Sequence, residues 1–261
     1  MYTRTPSPAS ENNGQLPRLD LRYNTNDMKK RVLIIDCLRA FAIFSMIAYH
    51  LAYDLQTYYS FQINVHDGLW KIFEQIVAGL FLLLVGWSFL LSWKRTPHWK
   101  KYVKRGATIF GYGLIVSAAT FLFDPATYVR FGILHLIGAS VIMLPLFVRL
   151  RQFALIPGTL AAMIGMQLRD GTASTPLFLP IGLTDPGFQS VDYFPLFPWY
   201  GAVLLGVTIG FVLQNLPASE PAKGKLKELI TMTSRYSLSI YLLHQPILLI
   251  VLRMALGKPY H

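Results

Sequence analysis

The sequence predicts an all-α, polytopic transmembrane helical bundle of about seven spans, with its N-terminus cytoplasmic and its C-terminus outside. Three observations carry this expectation. Hydrophobic residues fill 53% of the 261 positions and charged residues only 14%, with a mean hydropathy of +0.41, whereas a soluble domain is roughly one-quarter charged. The apolar residues gather into stretches near the roughly 20 residues that a bilayer core requires. The basic residues, which leave a formal net charge of +11, lie between alternate stretches rather than on one soluble face. They therefore read as orientation signals, and no nucleic-acid partner is expected.

Residues 1–28 are polar, rich in Ser, Pro and Asn, and contain no apolar run of the kind a signal peptide needs. They are expected to form a disordered cytoplasmic tail, followed by a single membrane domain over 31–256. Spans are expected at about 32–54, 69–92, 106–123, 131–149, 152–168, 196–214 and 236–256. This arrangement puts 18 of the 24 Lys and Arg residues inside, among them Lys94 to Arg105 and Lys223 to Arg235. Asp54, Asp67, Asp124, Asp170, Asp185 and Asp192 then all fall outside. Spans four and five nearly abut, so they should form a hairpin at the inner face. The segment 169–195 carries Pro176, Pro180, Pro186 and Pro195 without helical periodicity and suits an outer loop, either a cap over a site or a solvated connector. Tyr193 to Tyr200 reads as an interfacial aromatic belt leading into a proline-started helix, and Gly206 with Gly210 forms a GxxxG packing motif. Cys37 is the only cysteine, which excludes an intrachain disulfide.

The first span is the chemically loaded one. It carries Asp36, Arg39, His50 and Asp54, which at 100° per residue lie within about 60° of one another around a helix. An ionised side chain at the bilayer centre costs about 2.5–3.5 kcal/mol on insertion scales. The stripe must therefore face protein or water. His50 and Asp54 are one turn apart, so the carboxylate could orient the ring and stabilise its charged form, as a general base requires. A structural histidine bonded to a neighbouring helix is the equal alternative. A rise of about 21 Å from Asp36 places His50 in the outer third of the bilayer. Asp36 and Arg39, near the inner end, read first as a compensated ion pair that locks helices together. His135 follows Arg130 at the outer end of span four, and His244 lies within span seven just before Pro246, which should kink that helix. No HxxxH, CxxC or HExxH spacing is present, so no metal is expected. Walker, dinucleotide and Gly-x-Ser-x-Gly fingerprints are likewise absent from the sequence.

Four motifs occur in a specific order: Ile35 to Ile43 with Met46 and Tyr49-His50, Arg130 to Gly138, Tyr193 to Gly201, and Ser237 to Pro246. Together they resemble bacterial transmembrane proteins related to the catalytic domain of heparan-alpha-glucosaminide N-acetyltransferase, over about residues 31–255. The resemblance implies acyl transfer across a membrane. Acetyl-CoA would be the cosubstrate on the cytoplasmic side, an amine or hydroxyl of a sugar or glycan the acceptor on the other. An intramembrane histidine would act as base or acyl carrier. By motif this role falls on His50, with Asp36, Arg39, His135 and His244 as supporting positions; His135 and His244 join His50 in the expected catalytic set, and Asp54 joins it through its one-turn spacing from His50. Asp36, Arg39 and Arg130 form the expected cosubstrate-binding set, Arg130 also being a candidate oxyanion donor. The basic loop Lys94 to Arg105 could hold the nucleotide phosphates or serve orientation alone. The chain is shorter than the lysosomal enzyme and lacks its long luminal region, so the acceptor stays open. The expected setting is a bacterial inner membrane, with the bilayer, acetyl-CoA and a sugar acceptor as partners, and a homo-oligomer is compatible with it. A proton-linked carrier or flippase using the same polar stripe is the alternative.

Overall fold

The computed structural model describes residues 33–169, 171–213 and 224–258; the expected N-terminal tail lies outside them. Among the described residues the chain is all-α, with no strand beyond two isolated bridges. The helices are α1 (Leu33–Tyr59), α2 (Gly68–Arg95), α3 (Trp99–Phe123), α4 (Ile133–Phe147), α5 (Leu155–Leu168), α6 (Leu196–Val212), α7 (Lys225–Arg235) and α8 (Ser237–Leu256). Short 3₁₀ turns, Val148–Ala154 and Pro176–Ile181, join α4 to α5 and interrupt the loop after α5. Five helical runs are long and apolar enough to cross a membrane by length and composition: α1, α2, α3, the run Ile133–Leu168 and α8. Helix α6 is apolar but shorter. The molecule is built as an integral membrane protein.

The 36-residue run Ile133–Leu168 folds back on itself. Arg151 takes φ 56° and ψ −127°, a conformation no helix can continue through. At one end of the run, Phe131 pairs with Tyr193. At the other, the backbone of Gly165 abuts Pro198. Both termini thus meet the start of α6, so the chain must reverse at 148–154, where the sequence predicts a hairpin.

Glycines set the central packing. A Cβ on Gly86 of α2 would lie 1.9 Å from the carbonyl oxygen of Val203, and one on Gly206 of α6 would lie 1.9 Å from that of Leu83. The two backbones touch, as GxxxG-type contacts allow, and Gly206 is the glycine that the sequence motif singles out. Leu82, Leu90, Leu136, Leu144, Val203 and Leu204 fill the surrounding core, each fully buried. Across α3 and α4 the same device recurs, with Gly106 against Gly138.

Helix α1 runs antiparallel to α2, since Arg39 meets Ser88 while Tyr49 meets Glu74. It runs parallel to α8: His50 meets His244, Asp54 meets Gln245 and Tyr59 meets Gly257. The other face of α8 leaves Leu243, Ile247, Ile250 and Met254 exposed, as a lipid-facing surface would.

Two expectations change. The predicted third span begins near 106, but α3 starts at Trp99, because Lys100 to Arg105 can continue a helix beyond the bilayer while their charged ends stay in water. The segment expected to be a basic inner loop contains α7, an eleven-residue helix too polar to register as a span.

A histidine pair between the first and last helices

His50 and His244 face each other across the α1–α8 seam, their ring centroids 4.7 Å apart and their planes inclined by 60°. The parallel alignment of the two helices produces this meeting. His244 Nδ1 lies 2.5 Å from the carbonyl oxygen of Tyr241. A carbonyl only accepts, so Nδ1 carries the proton and Nε2 keeps its lone pair. That Nε2 is buried and has no hydrogen-bond partner among the described residues. His50 is part-buried and also contacts Tyr49 edge to face at 5.7 Å.

Asp54 is fully buried. Its Oδ1 accepts a hydrogen bond from Gln245 Nε2 at 2.7 Å, whereas Oδ2 has no partner among the described residues. This corrects the expected geometry, in which Asp54 orients the His50 ring one turn above. The carboxylate instead grips the residue next to His244, because α8 offers an amide donor at the same level. Asp54 therefore braces the two helices that carry the histidines.

A second layer surrounds the pair. Tyr49 donates to Glu74 Oε2 at 3.2 Å, and Lys71 donates to the same oxygen at 2.9 Å. The Tyr241 ring packs 5.5 Å from His244 and lies within electrostatic range of Asp192. Asp192, in the loop after α5, accepts from the Ile133 backbone N–H at 3.1 Å and so caps the start of α4. Burial, with the nearby charge of Glu74 adding, holds its carboxyl up at about 7 despite that bond. Asp192 can therefore exchange a proton near neutral pH.

His135 does not join the pair. Its Nδ1 accepts the Gly132 N–H at 3.2 Å, and its ring stacks on Phe131, meets Phe110 edge to face and rests against Gly113. The side chain thus supports the first turn of α4 and fills the α3–α4 interface, while its Nε2 is buried with no hydrogen-bond partner among the described residues. Arg130 likewise has a scaffold around it. Its guanidinium lies over the rings of Tyr128 and Phe188, 5.2 and 5.0 Å from their centroids, and 3.9 Å from Asp185. Ser190 ties the same two loops, its hydroxyl lying 3.0 Å from the carbonyl oxygens of both Tyr128 and Asp192, which share its one proton. The Pro-rich loop is thereby fastened to 124–132 as an ordered platform.

Asp36 and Arg39 form a separate centre, about 21 Å and about 16 Å respectively from His50 along α1 at about 1.5 Å per residue. A third group, the hydroxyl of Ser234, bridges them. Arg39 donates to Ser234 Oγ at 2.7 Å, and Ser234 donates to Asp36 Oδ1 at 2.5 Å. Arg39 also donates to Ser88 Oγ at 2.5 Å. Ser234, the buried end of α7, thus joins the two charges and links α1 to α7. Lys94 and Arg151 both approach the ring of Phe211, at 5.3 and 5.9 Å, gathering the ends of α2, α6 and the hairpin turn.

Sequence reasoning missed Glu74, Asp192 and Ser234. Glu74 was within reach of it, being an acidic residue inside a predicted span, the same signal that marks α1. Asp192 and Ser234 lie in segments that the sequence predicts as loops, and only tertiary contacts distinguish them. Among the described residues no group of three His, Cys, Asp or Glu side chains is disposed to hold a metal.

Comparison with curated proteins and with solved structures finds no match. A family model does match, that of the heparan-alpha-glucosaminide N-acetyltransferase catalytic domain, over residues 31–246. That span takes in α1 through the histidine of α8 and covers most of the chain. The chain therefore belongs to the heparan-alpha-glucosaminide N-acetyltransferase catalytic-domain family of membrane acetyltransferases.

Proposed function

We propose that the protein transfers an acetyl group from acetyl-CoA, taken up at the Asp36–Arg39 end of the bundle, to an amine or hydroxyl of a sugar or glycan at the His50–His244 end. The observation that carries this is the histidine pair itself: two imidazoles from different helices, one with an unengaged basic nitrogen, beside a buried carboxylate. His50 or His244 Nε2 takes the proton from the acceptor as its nitrogen or oxygen attacks the thioester carbonyl. The carbon–sulfur bond then breaks, and CoA leaves as the thiol after receiving a proton. In the acyl-carrier variant, His50 itself attacks first and passes the acetyl group on. Asp54 stabilises the positive charge that develops on the imidazoles, acting through the cluster it shares with Gln245. Asp192, close to Tyr241 and Glu74, suits the task of releasing the proton outward.

At the other end, Lys94, Arg151 and the Lys100–Arg105 turn of α3 form a basic rim suited to the nucleotide phosphates. We take the bundle to make seven passes with the basic rim cytoplasmic, a topology supported by the reversal at Arg151 and the alternating helix directions. The setting is then a bacterial inner membrane.

Purified protein incubated with acetyl-CoA and a panel of amino and neutral sugars should release free thiol only when an acceptor is present. His50→Ala and His244→Ala should each slow this by about 100-fold or more, the usual contribution of a general base. Thiol release by His50→Ala at the wild-type rate would sink the proposal. Solute uptake by vesicles without CoA would point to a carrier instead.

A further inference from the structure

Helix α7 is unlike the other helices. It is too short and too polar to span, and it joins α8 through the single residue Tyr236, which has φ −95° and ψ 16°. Leu226, Leu229 and Met232, with Tyr236 just beyond, are 70, 57, 50 and 51% exposed. At 100° per residue these four lie within an arc of about 120°. The opposite side holds Lys227, Thr231, Ser234 and Arg235. Ser234 on that side is buried against Asp36 and Arg39. The contact with α1 thus uses the polar side, and the apolar side faces away from the protein.

A short helix with an outward apolar face and several basic residues, Lys225 within that arc at the first turn and Lys227 and Arg235 outside it, has the composition of an interfacial helix, the long Lys225 side chain being able to reach up to the headgroups. Lys225, Lys227 and Arg235 stand against Glu228 alone, so its surface is cationic. We infer that α7 lies in the plane of the bilayer surface, its apolar face in the acyl boundary and its basic residues on anionic phospholipid headgroups. Docking there holds Ser234 between Asp36 and Arg39. The first turns of α1 are thereby coupled to the lipid surface. This inference does not depend on the transferase chemistry.

The test uses full-length protein in which Cys37→Ser removes the native thiol and Leu229→Cys or Glu228→Cys introduces a single site for an environment-sensitive fluorophore, Glu228 being exposed and outside both the apolar arc and the Ser234 contact. Leu226→Cys supplies a second apolar position. In vesicles containing phosphatidylglycerol, a label at 229 or 226 should be quenched several-fold more by nitroxide-bearing lipid than one at 228, which iodide should reach from water. In phosphatidylcholine alone the contrast should shrink. Lys225→Gln with Lys227→Gln should weaken docking by about fivefold per charge. Iodide reaching 229 as readily as 228 would overturn the inference, as would equal lipid quenching in neutral and anionic vesicles. Shielding of 229 from both quenchers would overturn it too, since the face would then be covered by protein.

Discussion

Alanine at Gly86 and alanine at Gly79 should act in opposite directions, although the two glycines lie two turns apart on α2. A Cβ at Gly86 would sit 1.9 Å from the Val203 carbonyl oxygen, 2.9 Å from its carbon and 3.0 Å from the Val207 nitrogen. All three are backbone atoms of α6, so no side chain can rotate away. Restoring an ordinary 3.4 Å contact requires about 1.5 Å of separation between the helices, and overpacking of that kind costs about 1–3 kcal/mol. The intrinsic gain of Ala over Gly in a helix, about 0.5–1 kcal/mol, offsets part of it. At Gly79 nothing lies within 4 Å, so only the gain remains. Thermal unfolding in detergent provides the assay, with roughly 2–4 °C expected per kcal/mol for a chain of this size. Gly86→Ala should melt several degrees below wild type and Gly79→Ala slightly above it. Shifts of the same sign at both positions would refute backbone contact between α2 and α6.

Other substitutions separate structural from chemical roles. Ser234→Ala should destabilise the fold by up to about 3 kcal/mol, since it removes hydroxyl bonds to two charged groups, and chemical denaturation would measure it. His135→Ala should lower stability through loss of the α4 cap and of a buried ring. It should leave acetyl transfer largely intact in whatever fraction stays folded, whereas His50→Ala and His244→Ala should lose transfer without a comparable loss of stability. Asp192 binds its proton up to a pH of about 7 in the folded protein, against an ordinary value of 3.8. Its contribution to stability is therefore fully present below about pH 4 and lost as the pH rises through 7. Asp192→Asn keeps an acceptor for Ile133 N–H, and melting temperatures measured from pH 4 to 8 should show a flatter profile for it than for wild type.

Much of the helical plan was legible because a bilayer imposes a length and a charge rule on every span. The reversal at 148–154 was visible as two apolar runs separated by Arg149 and Arg151, and the aromatic approach to α6 as a proline after a belt of rings. In the structure Phe197 is still extended, at φ −102° and ψ 125°, and the regular helix starts at Pro198. Helix α7 was not legible by that rule, since its apolar residues are too few for a span and count only when projected on a helical wheel. The meeting of His50 with His244 depends on α1 and α8 packing in parallel, a fact about neighbours that spacing within either helix cannot express. The same limit explains Asp54, whose partner lies 191 positions away on α8 rather than one turn along α1. His135 shows the converse: the Nδ1 of an intramembrane histidine can serve a helix terminus three residues away while its ring packs on a neighbouring glycine, contacts that the residue type alone does not announce.

Transfer across the membrane is tested most directly by separating donor from acceptor. Proteoliposomes would receive acetyl-CoA only on the face bearing Lys94 and Arg151, with the amino sugar confined to the opposite face. Wild-type protein should then accumulate acetylated sugar in step with thiol release, and His50→Ala protein should not. Product forming only when both substrates share one face, or forming equally with His50→Ala, would contradict a histidine-centred relay from one end of the bundle to the other.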